Sequence, residues 1–61
     1  MQTDKMLQRL TRMTEAQLGY RDYAEIEGYY TLAGPEYDTS KLQDVSRERI
    51  VTIFNKHFEV Q

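Results

Sequence analysis

Asp44, Ser46 and His57 are the residue types of an orienting acid, a nucleophile and a general base. Such a triad works only within hydrogen-bond reach, about 3 Å. If one helix carries both Ser46 and His57, the eleven steps from one to the other at about 1.5 Å each put them about 16 Å apart. They cannot meet within one chain. The carboxylates fare no better as an acid and base pair. Glu25 and Glu27 are two apart, which on a helix sends them to different faces. Asp22 and Glu25 can be neighbours at i and i+3, but nothing in the surrounding sequence would split their protonation, so a solvated helix face is expected. The run Glu36-Tyr37-Asp38 lacks the ligand spacing of a calcium loop. With no cysteine and a single histidine, structural zinc in its usual forms has no ligand set. The expectation is therefore no enzyme, no metal and no cofactor.

Chemistry of contact is better represented. Residues 19 to 38 hold all five tyrosines and five of the ten carboxylates. Residues 1 to 18 sum to +1, residues 45 to 61 to +1, and residues 19 to 44 to −4, so the net charge of −2 arises in the tyrosine-bearing middle. Tyrosine gives a large, rigid contact area with a polar tip, which enriches it in protein interfaces. An anionic surface with aromatic anchors would attract a basic site on another protein and speed their encounter. Tyr23 and Tyr30 are expected to serve the core. Tyr29, Glu36, Tyr37 and Asp38 are the expected partner contacts, and by analogy such a face could fill a groove meant for nucleic acid.

A second possibility rests on Val45-Ser46-Arg47-Glu48-Arg49-Ile50. This run resembles the start of the recognition helix in bacterial sigma factor region 4, where a V-T/S-R-E-R-I segment presents arginine and glutamate to the major groove. The resemblance covers six residues and implies DNA binding through Arg47, Glu48 and Arg49. The same residues also suit a plain helix start, with Ser46 as cap, Glu48 complementing the positive helix end and the arginines solvated. A net charge of −2 gives little attraction for phosphates.

The elements that would position these groups read as three helices. Met6, Leu7, Leu10, Met13 and Leu18 recur at helical steps, giving a helix over 4–18 with Asp4 as its cap. A break at Thr14 is the alternative there, because Thr14-Glu15-Ala16-Gln17 fits a capping box. Tyr23, Ile26, Tyr30 and Ala33 share one face of a helix over 20–33, with Asp22, Glu25 and Glu27 mostly off it. Gly34-Pro35 stops it, and a short strand at 29–32 is its rival. Ser46 as cap, Val45 stapled on Ile50, and a stripe of Ile50, Ile53, Phe54, His57 and Phe58 give a last helix over 41–59. Ser40-Lys41-Leu42-Gln43 is another capping box, allowing a short preceding turn.

The fold class expected is thus all-α, a compact three-helix domain spanning 1–61. A chain of 61 residues buries a thin core, and without disulfide or metal it must rely on helix packing or a second copy. The outer helices carry apolar faces wide enough that a homodimer is expected. The absence of cysteine, of a leader-like apolar run and of 18 consecutive apolar residues leads to a cytoplasmic, non-membrane protein. The function expected is a small regulator or inhibitor that binds a partner protein, with a DNA-binding regulator as the alternative.

Overall fold

The computed structural model describes residues 2–58. Among them the fold is all-α, with four α-helices and one 3-10 turn: α1 Gln2–Thr11, α2 Glu15–Leu18, α3 Tyr20–Ala33, the 3-10 turn Thr39–Lys41, and α4 Asp44–Phe58. α1 packs against both α3 and α4, and α2 packs against α3. The position expected for the end of the last helix, residue 59, lies outside the described residues.

The single helix expected over 4–18 is two helices. Thr14 accepts the Gln17 amide on its hydroxyl at 3.2 Å, and Gln17 Oε1 accepts the Thr14 amide at 2.9 Å. This reciprocal box closes the orphan donors of a new helix start and makes the break cheaper than continuation. Asp4 is not a cap, because α1 begins at Gln2 and Asp4 lies in its first turn. Its carboxylate reaches instead across the chain to Thr39.

Gly19 follows α2 with φ 89° and so turns the chain into α3. Left-handed φ is where a residue without Cβ pays no steric cost. Residues 29–32 lie inside α3, so the strand alternative does not form. Gly34, at φ 87°, ends the helix by donating its amide to the Tyr30 carbonyl at 2.8 Å, as the Gly-Pro signal implied.

α4 starts at Asp44, three residues later than the expected 41. The Ser40 segment forms the 3-10 turn, capped by Asp38, which accepts the Ser40 amide at 3.2 Å and the Ser40 hydroxyl. Ser46 is not the N-cap. The Gln43 carbonyl already accepts the amides of Ser46 and Arg47, so Ser46 sits within the first turn. Val45 is consequently turned outward, 59% exposed, and does not staple on Ile50.

The core consists of Leu7, Leu10, Leu18, Ile26, Ala33, Leu42, Ile50 and Ile53, with Met6, Met13, Tyr23, Tyr29, Tyr37, Phe54 and Phe58 packed around it. Phe54 and Phe58 stack at 4.5 Å between centroids, and the Arg9 guanidinium lies 4.4 Å from the Phe58 centroid, joining α1 to the end of α4. No described helix is long and apolar enough to cross a membrane.

Candidate functional site

The tyrosines of the middle segment separate into two groups on α3, because Tyr29 and Tyr30 are about 100° apart around the helix. Tyr29 turns toward α4. Its hydroxyl donates to Glu25 Oε2 at 2.5 Å, one helical turn back, while Arg49 grips the same carboxylate with Nε at 2.8 Å and Nη2 at 2.9 Å. The bidentate guanidinium, against the opposing cost of burial, holds the Glu25 carboxyl below its ordinary range. Burial, reinforced by the anionic acceptor, pushes the Tyr29 phenol up to about 12. The two bonds that Arg49 donates to Glu25 likewise raise its guanidinium above its ordinary value. Tyr29 is a member of an internal network.

Tyr30 turns the other way. With Tyr23 two turns back on the same face and Tyr37 from the loop after α3, it lines a groove of about 330 Å³ floored by Leu10 and Ile26 and bordered by Thr11, Arg12 and Glu27. The Tyr30 and Tyr37 rings meet at 5.4 Å between centroids and 46° between planes. The Tyr37 hydroxyl lies 3.4 Å from Thr11 Oγ1, whose own hydrogen goes to the Gln8 carbonyl at 2.8 Å. No hydrogen bond engages the hydroxyls of Tyr23 and Tyr30 among the described residues, and neither is a buried unsatisfied atom, so both face water.

Tyr37 is the one described non-glycine residue with positive φ, at 58°. Its amide donates to Gly34 at 2.9 Å, so the turn after α3 holds the conformation. For a bulky side chain this region is disfavoured. The backbone is bent in a way that glycine or asparagine would suit better, and what the tyrosine adds is its ring against Tyr30.

The remaining expected contacts are placed as follows. Glu36 is exposed beside Tyr37. Asp38 is occupied by Ser40. The residues of the proposed DNA reader are in the first two turns of α4, but Arg47 donates to the carbonyls of Thr39 at 3.1 Å and Leu42 at 2.6 Å and pairs with Asp44, while Arg49 is held by Glu25. Only Glu48 of the three is exposed without such a bond among the described residues.

Two clusters had not been expected. Thr39 is fully buried. Its hydroxyl hydrogen goes to Asp4, so it accepts in turn from the Thr3 hydroxyl at 2.7 Å, and its amide donates to Asp4 at 3.0 Å. The Thr39 hydroxyl, then its amide, hold the Asp4 carboxyl below the usual carboxylate range. Asp22, expected on a solvated face, is buried. Its Oδ2 accepts Lys56 Nζ at 2.8 Å and faces His57 Nε2 at 3.0 Å, and Lys56 first, then His57, lower its carboxyl against the cost of burial. An ionised carboxylate only accepts, so Nε2 carries the proton. A signal for its burial, though not for its partners, existed, since Asp22 lies four residues before Ile26 and so at the edge of the core face.

No triad assembles from the residues named at the outset. Ser46 and His57 are on the one helix α4, and the partner of His57 is Asp22 rather than Asp44. No group of three or more potential metal-ligating side chains of His, Cys, Asp or Glu occurs among the described residues. Comparison with protein-family models, with curated proteins and with solved structures returned no match to the chain.

Proposed function

We propose that this chain is a small, non-catalytic regulatory or inhibitory protein that binds a partner protein through the tyrosine groove of its central segment. The observation that carries this reading is the groove formed by Tyr23, Tyr30 and Tyr37, with Tyr37 held at φ 58° where its ring packs on Tyr30. Residues kept in sparsely populated backbone regions concentrate at sites where the side chain's position matters. Tyr37 and the adjacent exposed Glu36 belong to this surface, whereas the Tyr29 hydroxyl and the Asp38 carboxylate are spent internally. A cytoplasmic location and pairing into a homodimer are parts of the same proposal.

The test is capture from the native cell with the wild type, Tyr37→Gly and Tyr29→Phe side by side. Recovery of one partner by the wild type and Tyr29→Phe, and its loss with Tyr37→Gly in a variant that remains helical by circular dichroism, supports the reading. Equal recovery by all three would remove the groove from it. The DNA-binding alternative would require Arg49 to leave Glu25 and Arg47 to leave two carbonyls, and a gel shift at low salt checks it, since non-specific binding would appear there and fade with added salt. Light scattering decides pairing, with twice 7.3 kDa expected for a dimer.

A further inference from the structure

We infer that the tyrosine groove receives a basic side chain, a lysine or arginine presented by the partner; this rests on the proposed binding role and specifies its chemistry. Three tyrosine rings line one space of about 330 Å³, and ring faces are electron-rich and attract a cation placed over them. Glu27 supplies the counter-charge. It stands four residues after Tyr23 and three before Tyr30 on α3, which puts its carboxylate on the same side of the helix as both rings.

Glu27 is also set apart from the other acids of α3. Asp22 is taken by Lys56 and His57, and Glu25 by Arg49 and Tyr29, whereas the Glu27 carboxylate has no ion pair or hydrogen bond among the described residues. It is exposed, so no desolvation cost has been met by an internal partner. The free negative charge of this helix is therefore concentrated where the rings are.

Arg12 is the opposing charge at the groove. It lies past the last residue of α1, is exposed, and its guanidinium makes no ion pair or hydrogen bond among the described residues. Glu27 is fixed within a helix of 14 residues, while Arg12 projects on a long side chain from the turn between α1 and α2. A cationic occupant would meet Glu27 between two rings and displace the Arg12 side chain toward water. An anionic occupant would meet Glu27 at the same place and be repelled.

The sign of each charge gives the test. The probes are N-acetyl-arginine methylamide, N-acetyl-lysine methylamide, and the norleucine and glutamate analogues, added to the intact chain while the tyrosine ring signals are followed by NMR. The basic probes are expected to shift Tyr23, Tyr30 and Tyr37 but not Tyr20, with weak saturable binding and no comparable effect of norleucine. Glu27→Gln should weaken the basic probes about threefold to fivefold, and Arg12→Gln should tighten them by a similar factor, each being a single exposed charge. Both variants leave the core untouched, and unchanged thermal melts would verify that. Norleucine or glutamate acting as strongly as the basic probes, or the opposite order of the two variants, would overturn the inference while leaving a groove that binds a partner. No shift from any probe would overturn it as well, and the capture comparison with Tyr37→Gly would then judge the binding role by itself.

Discussion

Glu25 serves two partners, and its removal separates two causes of one property. Burial and the carboxylate both raise the Tyr29 phenol, to about 12. In Glu25→Gln the charge goes and the burial stays, so the Tyr29 titration midpoint should fall from about 12 but stop above the ordinary 10. A pH titration of the ring signals measures it, and an unmoved midpoint would mean that burial alone is responsible. Asp22 makes a prediction of the opposite charge type. Its carboxyl is lowered by Lys56 and His57, so its contribution to stability is complete above the unfolded value of about 3.9 and is lost as pH falls through the lower folded value. Asp4 and Glu25 are lowered too and act in the same direction. In urea melts from pH 7 to pH 2, Asp22→Asn should differ most from the wild type above about pH 4, and the two should converge as acid protonates Asp22. A gap of constant size at every pH would show that the Asp22 charge is not what the site uses. Neither of these clusters was legible in the sequence as a contact, because the α4 partners of Asp22 and Glu25 lie 24 to 35 residues away and nothing local marks which acid on α3 will meet a cation on α4.

Local elements were far more legible, and where the reading slipped the reason is specific. Gly34-Pro35 gave the end of α3 correctly, since both residues oppose continuation whatever surrounds them. The Thr14 box was visible, yet the helical recurrence of Met13 and Leu18 across it suggested one helix, when in the structure those two residues belong to different sides of a break. At α4 the Ser46 cap was overruled by the Gln43 carbonyl and by Asp44, which begins the helix and pairs with Arg47. Thr14→Ala removes one half of the box and should cost about 1 kcal/mol, a fall in melting temperature of about 4–8 °C for a chain of this size. Retention of the wild-type melting temperature would mean that packing of Leu18 alone sets α2. The turn at Tyr37 was not legible at all, because tyrosine carries no signal for a left-handed residue. Tyr37→Gly relieves the backbone of about 1–2 kcal/mol and forfeits a ring pair worth about 0.5–1.5 kcal/mol together with the remaining contacts of a half-buried side chain. The net change in stability should be small, within about 1.5 kcal/mol on these opposing terms, while partner capture is lost. A large loss of stability would identify Tyr37 as a core residue instead.

At the scale of the whole molecule, the question is whether one chain suffices. A folded monomer of 7.3 kDa should expose about 4200 Å², and this chain exposes 4253 Å² with a radius of gyration of 10.5 Å. The apolar faces that suggested pairing are largely used within the chain. Tyr20, Leu32 and Val45, the large apolar residues most exposed among those described, stand on three separate parts of two helices. A self-contained chain of this length has about 3–9 kcal/mol in total. Ile53 is fully enclosed against the core, and truncating it to alanine removes about 2–5 kcal/mol, against about 0.5–1.5 kcal/mol for valine. Ile53→Ala should therefore be substantially unfolded at 37 °C when dilute, and Ile53→Val should melt cooperatively at a lower temperature than the wild type, both followed by circular dichroism. If two copies share their stability, the melting temperature of either variant will climb with protein concentration, because association favours the folded state by mass action. A concentration-independent loss of structure in Ile53→Ala identifies a chain that folds alone and meets its partner afterward. A steep rise with concentration identifies one whose fold and pairing are a single event.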